Sequence, residues 1–115
     1  MQLIDQPISV AQLTKIAQER FGDMTKAVVD LDKQILVVDA DLHADQEAFL
    51  LEQGSIQASI WGINLYPELY GTDDFVEFDS MINLRPSWGN NSRSVEDLQI
   101  QEKIRKIVNS LVVTE

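Results

Sequence analysis

The sequence predicts an α+β domain in the order αββαββα, with three helices and a mostly antiparallel sheet of about four strands in two hairpins. Three observations carry this expectation. Two β-branched runs flank a polar pentapeptide in the first half of the chain. Two later stretches alternate apolar and polar residues with a period of two. Both ends place apolar residues at helical spacing, and start and stop signals frame a third helix between them.

The first helix is announced by Ser9 and Gln12, an S-x-x-Q pattern in which each side chain can cap the other residue's backbone N–H. Val10, Leu13, Ile16 and Ala17 follow at helical spacing, and Gly22 ends the run. Ala27, Val28 and Val29, then Ile35, Leu36, Val37 and Val38, surround Asp30-Leu31-Asp32-Lys33-Gln34 and read as a hairpin. The second of these runs is apolar at every position. It is therefore expected in the middle of the sheet, covered on both faces by helices or by a second copy of the chain.

Residues 40–54 form the second predicted helix, with Asp41 as N-cap and Gly54 at the stop. Residues 57–66 and 75–84 then read as a second hairpin across a turn-rich connection. Trp61, Ile63 and Leu65 alternate with Gly62, Asn64 and Tyr66, while Val76, Phe78, Ile82 and Leu84 oppose Glu77, Asp79, Asn83 and Arg85. A slip of one residue would turn one apolar row outward, so the pattern selects a register. It sets Leu65 opposite Val76, Ile63 opposite Phe78 and Trp61 opposite Ser80. Asn64 then faces Glu77, Gly62 faces Asp79 and Tyr66 faces Phe75. The last helix carries a stripe of Ile100, Ile104, Ile107, Val108 and Leu111, with an S-x-x-D start at Ser94 and Asp97.

The 115 residues fit one domain, residues 1–115, and a 44% hydrophobic content is enough for a core. Nine basic against nineteen acidic residues leave a net charge of −10, and twelve of the acids but only one base, Lys33, lie between Ala27 and Leu84. Sequence-independent nucleic-acid binding needs a cationic surface and is not expected. With no cysteine, disulfide scaffolds, thiol nucleophiles and cysteine-based zinc sites are excluded. No membrane span or signal-peptide layout is evident, which makes the cytoplasm the expected location. The phosphate-binding, dinucleotide, serine-hydrolase and zincin motifs are missing as well.

Three features could carry chemistry. The polar row of the second hairpin gathers Asn64, Tyr66, Glu77, Asp79, Asn83 and Arg85 on one face, with Gly62 leaving room for an approach to the backbone. His43, the single histidine, stands four residues before Glu47, so both share one helix face, as half of a metal site or as an acid–base pair. The loop 86–94 leads into the last helix with Asn91 and Arg93 as donors for an anion. Solvated strand faces, local histidine hydrogen bonds and simple capping are the structural alternatives. Metal identity and cofactor are not legible.

The strings FGDMTKAVVDLDK, LHADQEAFLLEQGS, WGINLYP, EFDSMINLRP and NNSRSVED together resemble a family of short single-domain prokaryotic proteins of unknown function. The resemblance spans nearly the whole chain and implies a complete single-domain protein. It brings no activity, cofactor or catalytic residue. Ala40-Asp41 departs from a Gly-Glu type pair in the family, which weakens any role for Asp41.

Two functions are expected from these readings. In the first, a small polar or anionic ligand is bound, or acted on with metal assistance, where the second hairpin meets the start of the second helix. His43, Glu47 and Asp79 would then be catalytic, and Asn64, Glu77, Asn83, Arg85, Asn91 and Arg93 would bind. In the second, a non-catalytic acidic interaction module meets a basic partner. Trp61, Trp88, Tyr66, Tyr70 and Phe75 are candidates for a homodimer contact. The readings separate spatially: the first requires His43, Asp79 and Arg85 or Arg93 to line one concave pocket.

Overall fold

A computed structural model describes residues 1–114. Ten regular elements run in the order β1 (Gln2–Ile4), β2 (Ile8–Ser9), α1 (Val10–Arg20), β3 (Thr25–Asp30), β4 (Ile35–Val38), α2 (His43–Glu52), β5 (Ile60–Leu65), β6 (Val76–Glu77), α3 (Leu98–Leu111) and β7 (Val112–Val113). The architecture is α+β with three helices, and it holds more strands than the pattern predicted. Five strands form an antiparallel sheet in the order β1-β4-β3-β5-β6, and β2 pairs with β7 in parallel. Strands as short as β1, β2 and β7 carry too few residues to display a period. Among the described residues no helix is long and apolar enough to cross a membrane.

The first hairpin closes as expected, with Ala27 opposite Val38 and Asp30 opposite Ile35. Its turn is held by buried Asp30, whose Oδ1 accepts from the Asp32 and Lys33 amides while Oδ2 accepts from the Ser55 hydroxyl. Strand β4 lies between β1 and β3 and is covered on both faces by helices. Leu50 of α2 packs on Val28, Val37 and Ile60. On the other side Leu13 of α1 and Ile104, Val108 and Leu111 of α3 join Ala27, Val29, Leu36, Ile63 and Leu65. Trp61 and Phe75, proposed from sequence as contact residues, belong to this core.

Ser9 and Gln12 make the full capping box at α1. The other predicted starts shift. Helix α2 begins at His43 with Leu42 as an N-cap that makes no side-chain bond, because Asp41 is drawn to the end of α1, where Arg20 holds both Asp39 and Asp41. Helix α3 is capped by Asp97, which accepts from the Gln99 amide, and not by Ser94.

The second hairpin is real but short. Asn64 faces Glu77, Leu65 faces Val76, and the Tyr66 amide donates to the Phe75 carbonyl, all in the expected register. Beyond Glu77 the pairings of Ile63, Gly62 and Trp61 with Phe78, Asp79 and Ser80 do not form. The chain leaves the sheet and turns through a short 3-10 segment, Met81–Asn83. Ile82 packs on the α2 side, Leu84 is exposed, and Asn83 is completely buried.

The room above Gly62 is therefore taken by the protein itself. A Cβ at Gly62 would stand 2.6 Å from the Cβ and Oγ of Ser80. Such overlap in a packed strand forces backbone shifts that cost about 1–3 kcal/mol. A Gly62→Ala variant is expected to lose that much in urea denaturation, and an unchanged midpoint would mean that the Ser80 segment gives way freely.

Candidate functional site

A cleft of about 500 Å³ opens between the start of α2 and the β5–β6 edge. Of the nine candidate residues, His43, Asn64, Glu77, Asp79 and Arg93 line it. They come from α2, β5, β6 and two loops, so no local stretch of sequence assembles the site. Glu47, Asn83, Arg85 and Asn91 lie elsewhere.

His43 is buried at the first position of α2, with Nε2 2.7 Å from the Ile63 carbonyl oxygen. A carbonyl only accepts, so Nε2 carries the hydrogen and Nδ1 is left as the acceptor of the neutral ring. Burial is the main reason its pKa falls below the ordinary value. The Ile63 bond acts against this shift; Lys26 and Arg93 add to it, and Asp79 opposes it.

Folding therefore favours the neutral ring. As pH falls past about 6.5 the unfolded chain takes up a proton first, and stability declines until the folded imidazole also protonates. Above that pH the contribution is complete. Between about pH 7.5 and 5.5 the urea midpoint is expected to fall for the wild type and to fall less for His43→Gln. Parallel profiles would show that the ring titrates alike in both states.

Asn64 forms the floor of the cleft. Its Nδ2 donates to Glu77 Oε1 at 2.8 Å and to the Asp79 carbonyl at 3.3 Å. Both partners are acceptors, which fixes the amide orientation and leaves Oδ1, in a residue only 5% exposed, without a partner. Glu77 Oε1 also accepts from the Tyr66 hydroxyl at 3.0 Å, and burial together with Glu77 pushes the Tyr66 phenol up, so it stays a donor. Asp79 Oδ1 accepts from Arg93 Nε at 2.7 Å. Tyr66 and Lys26 also line this surface, and the sequence alone does not mark them as ligand-binding residues. Tyr66 was legible as the next member of the Gly62, Asn64, Tyr66 row. Lys26 could not be placed without the β3–β5 pairing that sets it beside Asn64.

The four remaining candidates do other work. Asn83 and Arg85 bond to the backbone of β5. Glu47 points toward Arg85, its Oε2 3.9 Å from the guanidinium, so the i, i+4 pairing of His43 with Glu47 makes no shared site. Among the described residues no three His, Asp or Glu side chains are placed to share a metal ion. The Asn91 amide donates to Glu96. Within loop 86–94 the organising residue is Asn90, whose buried side chain donates to the Asn83, Ser92 and Ser94 carbonyls and accepts from the Glu96 amide. Of the loop donors predicted to receive an anion, the Asn91 backbone N–H and Arg93 Nε are engaged internally.

A second cleft of about 480 Å³ lies between the β3–β4 turn and α3, lined in part by Lys103 and Lys106. It contains none of the buried polar atoms that lack a partner among the described residues.

No curated protein and no solved structure matches the chain. The sequence model of a family described as "Protein of unknown function (DUF5674)" matches residues 2–111, and the chain belongs to that family.

Proposed function

We propose that the protein binds a small polar molecule in the cleft between the start of α2 and the β5–β6 edge. The observation that carries this reading is convergence. His43, Asn64, Glu77, Asp79 and Arg93, from distant parts of the chain, line one concave surface, and the histidine there is held in a single neutral tautomer. Polar groups gathered in a cleft beside a titratable group with a shifted pKa are the usual marks of a binding site. Binding accounts for the geometry better than acid–base catalysis by a His43–Glu47 pair, because Glu47 faces Arg85.

The test is an NMR titration of the whole chain against millimolar small carboxylates, phosphate, amines and amides, following backbone amides and the His43 ring. Shifts concentrated on Lys26, His43, Asn64 and residues 77–82 are expected from at least one class. Shifts confined to other surfaces, or none from any class, would overturn the reading.

A further inference from the structure

We infer that the molecule held in this cleft presents a cationic hydrogen-bond donor, an ammonium or guanidinium on an aliphatic chain, and not an anion. The inference rests on the proposed binding reading and gives its ligand a charge and a shape. It follows from which hydrogen-bonding positions of the cleft are filled. Two of the unfilled ones accept: Asn64 Oδ1 has no donor although its residue is almost completely buried. With Nε2–H committed to Ile63, the neutral His43 ring offers only the Nδ1 lone pair. Two carboxylates, Glu77 and Asp79, stand beside them.

The donors of the cleft are partly engaged, and among the described residues the Lys26 ammonium and the Arg93 Nη groups make no hydrogen bond. The Tyr66 hydroxyl is on Glu77, Arg93 Nε is on Asp79, and the Lys26 ammonium stands 5.5 Å from the centre of the Phe21 ring. An anion drawn to Lys26 and Arg93 would lie against two carboxylates and leave both acceptors without a donor. A cation taking the place of Arg93 meets the carboxylates and satisfies the acceptors.

Arg93 already shows how such a group sits there. Its guanidinium rests on Asp79 Oδ1 at 2.7 Å, yet both side chains are about half exposed, at 57% and 45%. Exposed pairs of this kind are weak and easily exchanged. Arg93 thus acts as an internal occupant that an incoming cation displaces. The shape of the ligand follows from the rim, where Leu42 and Met81 are 55% and 62% exposed beside Met24 and Ile82. Those side chains suit methylenes running out from a charged head. A net charge of −10 draws cations to the molecule from a distance.

The experiment uses four probes of matched length on the full chain: n-hexylammonium, hexanoate, hexanol and Nα-acetyl-lysine amide, with inorganic phosphate as a fifth. The ammonium probes are expected to shift the Asn64, Glu77 and Ser80 amides and the His43 ring, with hexanol, hexanoate and phosphate at least about tenfold weaker, as loss of a charge-assisted bond requires. Glu77→Gln should weaken the ammonium probes about tenfold, and Arg93→Ala should tighten them. Stronger binding of the lysine amide would assign the group to a protein side chain, and of hexylammonium to a free amine. Hexanoate or phosphate binding in the cleft with the amines silent would overturn the charge assignment while leaving a polar-ligand site. Hexanol matching hexylammonium would overturn it too. Silence from every probe would remove the site itself.

Discussion

An Asn83→Ala variant is expected to lose about 3–5 kcal/mol of unfolding free energy, the largest effect of any single polar side chain in the fold. Asn83 stands where β6 would continue. Strand β6 stops pairing at Glu77, which leaves the outer edge of β5 open at Gly62. The Asn83 amide closes that edge as a neighbouring peptide group would. The Gly62 N–H donates to Asn83 Oδ1 at 2.8 Å, and Asn83 Nδ2 donates to the Gly62 carbonyl at 2.9 Å and to the Arg93 carbonyl at 3.0 Å. The residue is completely buried, so no water substitutes without opening the chain.

Each buried backbone group left without a partner costs about 1–3 kcal/mol, and the substitution strands the Gly62 N–H and carbonyl, while the Arg93 carbonyl keeps the Ser80 amide as its donor. Asn83→Asp separates bonding from packing. It keeps the shape and the acceptor for Gly62 N–H but turns a charge toward two carbonyls, so it should be at least as damaging as alanine. Urea denaturation at constant m-value is the measurement. A loss below about 1 kcal/mol for both variants would mean that the edge is not sealed by this amide.

The same residue explains where sequence reading works in this molecule and where it stops. The register at Leu65–Val76 was legible because two strands alternate independently and only one alignment buries both apolar rows. Coverage of β4 on both faces was legible because four consecutive apolar residues leave no wet side. Asn83 was not. Its place in the pattern, polar between apolar Ile82 and Leu84, is that of a strand residue pointing to solvent, whereas the side chain itself stands in for a strand. Asn64 and Glu77 were assigned to one face correctly, yet the cleft above them depends on where α2 begins. That start is set by a side-chain contest: Arg20 holds Asp41, and the helix opens two residues later at His43. Contacts of this range leave no period in the sequence.

The second large effect is expected at Arg85, which continues the seal one step along β5. Its Nη2 donates to the Ile60 carbonyl at 2.6 Å and its Nε to the Ile82 carbonyl at 3.0 Å. The guanidinium carbon also lies over the Trp61 and Trp88 rings, 4.6 Å and 5.5 Å from their centres. Burial works against the charge and Glu47 partly restores it, though a guanidinium stays protonated throughout. Arg85→Ala removes two charge-assisted bonds and the stacking partner of a buried tryptophan, for an expected loss of about 2–4 kcal/mol.

Arg85→Lys tests the geometry and not the charge. An ammonium cannot reach two carbonyls in fork geometry while lying over two rings, so more than half of that loss should remain. Trp88 is mostly exposed, which makes it a usable second site. A double-mutant cycle of Arg85→Lys with Trp88→Ala should give a coupling of about 0.5–1 kcal/mol if stacking holds the fork in place. Full stability in the lysine variant would show that a charge near Ile60 suffices. The planar group would then be incidental to sealing the edge.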